Sequence, residues 1–242
     1  VDGTPFALLV PSLFTEFYQA ASDYYQRADI STLLRFLRLI CLFFALLGTS
    51  FFIAVTTFHQ ERIPTQLLIS LVAQREGVPF PAVVEAFMLE IPFEILREAG
   101  VRMPRAVGNA VSVVGTLVVG TAAVEAGFVS AAMVIIVSIT AISSFVIPAE
   151  SMSISIRILR FIFMLLAGTF GIFGLATGLV VLVLHLCHLK SFGVPYFTPF
   201  GPFVLEDQKD TLFRFPHWGL LTRPKYIGSR NKKRATPIRR KE

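Results

Sequence analysis

Four stretches of the chain carry no charged residue: Leu39–Phe58, Ala106–Val124, Ala126–Ala149 and Phe161–Leu184. Each reaches or approaches the roughly 20 residues that cross a hydrocarbon core of about 30 Å at 1.5 Å per residue. A helix on a soluble core keeps a polar face, and none of these has one of useful width. The pattern predicts an all-α, polytopic integral membrane protein with about four transmembrane helices, near 33–58, 106–124, 127–147 and 158–185. The short joint Glu125-Ala126-Gly127 makes the second and third an antiparallel hairpin, and Pro148 ends the third.

Residues 59–105 follow a different rhythm. Apolar helical stretches Pro64–Gln74 and Pro81–Ala99 are interrupted by Glu61, Arg62, Arg75, Glu76, Glu85, Glu90, Glu94, Arg97, Glu98, Arg102 and Arg105. Pro64 and Pro81 stand where helices start, and Gly77 and Gly100 follow as stop signals. Two amphipathic membrane-associated helices are expected, the second kinked at Pro92. Glu90, Glu94 and Glu98 read as a solvated surface stripe. A fifth crossing within 63–99 is the alternative.

The flanks divide by composition. Residues 1–11 read as the end of a truncated N-terminal soluble domain, with an Asp2-Gly3 turn and a strand at Phe6–Val10. Residues 12–32, rich in Phe and Tyr, read as an interfacial helix. Residues 33–190 are the transmembrane domain, where Arg35 and Arg38 are expected to snorkel to the interface. Residues 191–221 form a Pro/aromatic membrane-proximal segment. Residues 222–242 form a disordered basic tail: Arg223, Lys225, Arg230, Lys232, Lys233, Arg234, Arg239, Arg240 and Lys241 face only Glu242. The tail thus carries more than the whole net charge of +6, the rest of the chain being slightly acidic, and it suits anionic headgroups better than nucleic acid, since no folded module accompanies it. Four spans place both termini in the cytoplasm. Arg62, Arg75, Arg97, Arg102 and Arg105 then lie on the far side, against the positive-inside rule.

Candidate chemistry is sparse. His59-Gln60-Glu61 lacks the second histidine of a zinc-protease helix. His185 and His188 have no carboxylate or cysteine at ligand spacing. Cys41 and Cys187 read as small buried hydrophobes, without a C-x-x-C pair. No serine-nucleophile turn, phosphate loop or dinucleotide fingerprint appears, so no enzyme activity, metal or cofactor is expected. Small residues say more. Ser112 and Gly120 on the second span, and Ala167, Gly171, Gly174 and Gly178 on the fourth, form stripes that let helices approach closely. The second span also carries polarity at membrane depth. Asn109, Val113, Thr116, Leu117, Thr121 and Glu125 are the expected pore-lining set, with an apolar waist at Val113 and Leu117 and an acidic mouth at Glu125.

Several phrases then carry a resemblance: Val1-Asp2-Gly3-Thr4-Pro5-Phe6, Phe58-His59-Gln60-Glu61-Arg62-Ile63-Pro64-Thr65, Arg75-Glu76-Gly77-Val78-Pro79-Phe80-Pro81, Leu96-Arg97-Glu98-Ala99-Gly100-Val101-Arg102-Met103-Pro104, Ala122-Ala123-Val124-Glu125-Ala126-Gly127 and Ser191-Phe192-Gly193-Val194-Pro195-Tyr196. In this order, over roughly residues 1–216, the chain resembles the membrane half of the A subunit of GerA-type spore germinant receptors. The resemblance implies a bacterial, spore inner-membrane protein. It would form an oligomeric, nutrient-gated ion channel with a transporter-like B subunit and a lipoprotein C subunit. The related stage V sporulation protein AF is less similar around Phe58–Thr65 and Ser191–Pro202. A non-conducting coupling subunit and a transporter are the other readings. The transporter would call for inverted repeats and paired helix breaks, which the sequence does not display.

Overall fold

The computed structural model describes residues 10–102, 120–220, 222–225 and 233. Helix α1 runs over Ala28–Phe58. Asp29 lies in its first turn, where a carboxylate suits the positive end of the helix dipole, and His59 leaves helical geometry just after its end. Leu33, Phe36, Leu37, Ile40, Phe43, Phe44, Phe51 and Phe58 are all exposed along it. At about 1.5–3 kcal/mol per buried side chain, such a face turned to water would forfeit on the order of 10 kcal/mol. Lipid removes that cost.

Helix α2, Thr65–Arg75, follows Pro64, and helix α3, Ala82–Arg102, follows Pro81. Pro92 stands inside α3, which continues through it. Residues 120–125 are helical. The turn after them is closed by backbone alone. Gly127 lies at φ +68°, its N–H donates to Val124 O at 3.0 Å, and Phe128 N–H donates to Ala123 O at 2.9 Å. This is a Schellman cap, which needs a left-handed residue at the glycine position. Because the cap occupies residues 126–129, the next helix, α4, begins only at Ala131, capped by Ser130, and ends at Phe145. It is shorter than the expected 127–147 span.

Helix α5 covers Glu150–His188. The expected single span at 158–185 needs correction, because the segment breaks at Gly171, with φ 61° and ψ −142°. A Cβ on Gly174 would lie 2.4 Å from Leu166 O, and one on Gly178 would lie 3.0 Å from Phe163 Cε1. In a straight helix Phe163 and Gly178 would stand about 22 Å apart. The two arms therefore fold back antiparallel, about 31 Å and 25 Å long. Among the described residues, α1 and α5 are the segments long and apolar enough to cross a membrane by length and composition, and α4 is a shorter apolar helix.

The chain divides into two compact units. The first comprises Val1–Ile40, Ile147–Met152 and Leu179–Glu242; the second comprises Cys41–Val146 and Ser153–Gly178. In the first, residues 12–32 form two 3-10 turns, Phe14–Phe17 and Ala21–Tyr24, followed directly by α1, in place of the expected interfacial helix. Strands β1 (Lys190–Ser191) and β2 (Val194–Pro195) pair as a hairpin, with Ser191 opposite Val194. Its two turn residues, Phe192 and Gly193, both have positive φ, as a tight hairpin of this hand requires. Phe14 N–H donates to Tyr196 O at 2.9 Å, and the Phe14 ring packs on Phe197 at 5.3 Å. The segments before α1 and after α5 thus fold on each other.

Arg35 and Arg38 do not snorkel. Both reach Asp23, at 3.4 Å and 2.7 Å, because the 3-10 turn presents a fully buried carboxylate to them. Burial pushes the Asp23 carboxyl up. The hydrogen bonds from Arg38 and the Ala20 N–H, with the charges of Arg38 and Arg35, outweigh burial and hold it below the usual carboxylate range. Cys187 is exposed, not buried. Val1–Leu9 and most of the basic tail lie outside the described residues. Thr222 bridges Lys233, and Lys225 N–H donates to Asp207 Oδ2 at 3.2 Å.

Candidate functional site

In the second unit, α3 turns Ala82, Glu85, Ala86, Leu89 and Glu90 inward, all buried. Their i, i+3, i+4, i+7, i+8 spacing is one face of a helix. Two carboxylates therefore sit on the packed stripe, and of the solvated stripe expected for Glu90, Glu94 and Glu98 only Glu98 is exposed, Glu94 being half-buried and Glu90 buried. Small neighbours permit it: Ala82 and Ala86 leave room for close packing, and Gly168 of α5 lies so near that a Cβ would meet Val83 Cγ2 at 2.3 Å. Gly48 of α1 plays the same part against Thr140 of α4, at 2.7 Å.

Glu85 joins α2 and α3 to the start of α4. Its Oε2 accepts from Ser130 N–H at 2.9 Å, and Oε1 lies 3.1 Å from Arg75 Nη2. Glu90 stands where four helices meet. Oε1 accepts from the Thr49 hydroxyl of α1 at 3.1 Å, Thr49 lies 3.2 Å from Thr140 of α4, and Oε2 accepts from Arg160 Nη1 of α5 at 2.6 Å. One turn on, Glu94 Oε2 accepts from Arg157 Nη1 at 2.5 Å. Arg97 donates to Ser144 Oγ at 2.6 Å and lies over the Phe145 ring at 4.2 Å. Arg75 and Arg97, which offend the positive-inside rule as loop cations, are thus engaged with side chains of the bundle.

Among the expected pore residues, Asn109, Val113, Thr116 and Leu117 lie outside the described residues, as does Ser112. Thr121 and Glu125 are exposed on the last described turn of their helix, and Gly120 is buried, its Cβ position 3.5 Å from Val134. The Glu125 carboxylate takes no part in the backbone-closed turn after it. Gly174 and Gly178 face Leu166 and Phe163 across the α5 hairpin, with Ala167 buried in the same segment. A Cβ on Gly171 would lie 3.1 Å from Phe58 Cβ and 3.1 Å from His59 Cε1. Among the described residues no His, Cys, Asp or Glu cluster of three or more has metal-binding geometry.

Glu90 and Arg160 are what the sequence pattern left unread. The signal was present: Glu85 and Glu90 share the spacing of Ala82, Ala86 and Leu89, and Arg157 and Arg160 offer matching charge.

Apolar helices enclosing a charged node, with their large apolar side chains outward, define a helical membrane protein. The chain belongs to the GerA family: the family described as Bacillus/Clostridium GerA spore germination protein matches residues 1–226. Spore germination protein KA of Bacillus subtilis strain 168 is 54% identical over 242 residues, all of this chain and 44% of the relative. The uncharacterized membrane protein YfkQ of the same strain is 52% identical over 92% of this chain and 44% of its own length. Spore germination protein GerLA of Bacillus cereus is 42% identical over 96% of this chain and 47% of its own. The chain spans about half the length of these curated relatives. No solved structure matches it.

Proposed function

We propose that the chain is the membrane half of an ion-conducting subunit of a nutrient-gated spore germination receptor, in the spore inner membrane. Both termini face the cytoplasm; because the α5 hairpin starts and ends on one face, the four crossings are α1, the alternative crossing within 63–99, the 106–124 span and α4. Partners are further copies of the chain, a transporter-like B subunit, a lipoprotein C subunit and membrane lipid. The helix that ends at Glu125 lines the pore, with Asn109, Val113, Thr116, Leu117 and Thr121 along it. The observation that carries this reading is Glu125 itself. It is exposed on the last described turn of its helix, and the adjoining turn is held by Gly127 and backbone bonds without it. A carboxylate not used by the fold is free to focus cations at a mouth.

Reconstitution of the full-length protein into planar bilayers tests it. Glu125→Gln lowers cation-over-anion selectivity, read as a smaller reversal potential under a salt gradient. Leu117→Ala, which trims the apolar waist, gives leak current without nutrient. Unchanged reversal potential and unchanged basal current in inserted, assembled protein would leave the coupling-subunit reading in its place.

A further inference from the structure

We infer that the second unit holds a small anion in the pocket between α3, α4 and α5, seated on Arg160. The pocket has a volume of about 180 Å³ and is lined by Glu90, Glu94, Arg97, Ser138, Phe145 and Arg160 among others. That is below the roughly 300–1,000 Å³ of sites for drug-sized ligands. It suits a halide or a small carboxylate.

The chemistry of the open valences selects an acceptor. Arg160 is 1% exposed. Its Nη1 is spent on Glu90, while Nε and Nη2 are buried without a hydrogen-bond partner. The carboxylates beside it are already engaged. Glu90 uses both oxygens, on Thr49 and Arg160, and Glu94 uses Oε2 on Arg157. A ligand entering here therefore finds donors to satisfy and little carboxylate to bind a cation. Two lining guanidinium groups, Arg97 and Arg160, stand beside the two lining carboxylates, and an anion meets the two unused Arg160 donors. A guanidinium offers them as a planar fork, which suits an oxyanion edge-on. The proposal does not rest on ion conduction.

The test uses the full chain in a maltoside detergent, which carries no phosphate. Chloride, and separately formate, replaces the bulky gluconate ion at constant ionic strength while thermal unfolding is followed. The wild type shows a saturable rise in Tm with either small anion. Arg160→Lys keeps the charge but loses the fork, and its half-saturation moves at least tenfold higher. Ser138→Asp leaves the Arg160–Glu90 pair intact and places a carboxylate in the pocket. That variant loses the anion response and starts from the raised Tm. A wild-type Tm indifferent to the replacement would mean that water alone fills the space, and overturns the proposal. So does a saturation curve unchanged in both variants. A site answering only to added phospholipid, and not to chloride or formate, overturns it as well.

Discussion

Each unit buries arginine against carboxylate, yet the two supply acceptors differently. In the first unit Arg35 donates to the carbonyl oxygens of Asp210, at 2.6 Å, and Thr211, at 3.2 Å, besides its contact with Asp23. Arg38 reaches Tyr18 O as well as Asp23. The Tyr18 hydroxyl and Gln19 also end on carbonyls of the 210–211 turn. Irregular backbone has carbonyls to lend. In the second unit the helices spend most of their carbonyls within themselves, as an apolar medium requires, though Ala141 O accepts from Arg97 at 3.3 Å. Arg160 must then be answered by side chains, and only Glu90 answers it. Helical order is what strands a buried guanidinium.

The largest break in this comparison is Glu90→Ala. It removes the carboxylate that answers Arg160 and a partner of Thr49, and no nearby backbone can substitute. A loss of about 3–5 kcal/mol is expected. Asp23→Ala, also at a buried ion pair, should cost less, about 1–3 kcal/mol, since Arg35 and Arg38 keep their carbonyl acceptors. Chemical denaturation of both variants in detergent gives the order. Equal losses would mean that the backbone acceptors of the first unit contribute little.

The next effect sharpens the point from the backbone side. Gly171 holds the hairpin of α5 in a conformation that side chains strongly disfavour. A Cβ there would also press on Phe58 and His59 at 3.1 Å. Gly171→Ala should cost about 1–3 kcal/mol from backbone geometry alone. Ala176→Gly, in the same arm but exposed, should cost under about 1 kcal/mol. Thermal unfolding of the pair separates the break from a general helix effect.

Much of this fold was legible, and the misses share a cause. Proline and glycine at 64, 77 and 81 mark α2 and the start of α3 because capping is local. Charge-free runs announce the helices because lipid demands them. The reversal at Gly171 was hidden by the same demand: hydropathy is continuous from Phe161 to Leu184, so nothing in it distinguishes a straight helix from two arms. The glycine and alanine stripe was read as a seam between spans, whereas Gly174 and Gly178 lie on the seam of one segment folded on itself. Local pattern leaves Glu90 on a solvated stripe because its partner Arg160 is far along the chain. For Arg35 and Arg38 the near partner, Asp23, sits in a 3-10 turn that the apolar pattern does not mark, and the further acceptors of Arg35 at 210–211 follow the last apolar run. Local pattern predicts elements; the ion pairs that join them are long-range facts.

The smallest effect concerns pH and separates the units by titration. Asp23 has its carboxyl held below the usual carboxylate range, chiefly by Arg38, the Ala20 N–H and Arg35 acting against burial. In the unfolded chain it titrates near the ordinary value of about 3.9. A lowered folded value means that the stabilisation is fully present above the unfolded value and is lost as pH falls through the folded one. Between pH 5 and 8 the Asp23 contribution should therefore be flat, and it should decline only below about pH 4. Amide hydrogen exchange over residues 18–31, corrected for intrinsic rates, reads this locally. Protection should hold down to pH 5 and fall toward pH 3. In Asp23→Asn, protection at pH 5 should already be reduced and the further decline toward pH 3 diminished, because no carboxylate remains there to protonate. An equal decline in both proteins would assign the acid sensitivity to other groups. The carbonyls of Asp210 and Thr211 would then be what holds Arg35, with Asp23 secondary to them.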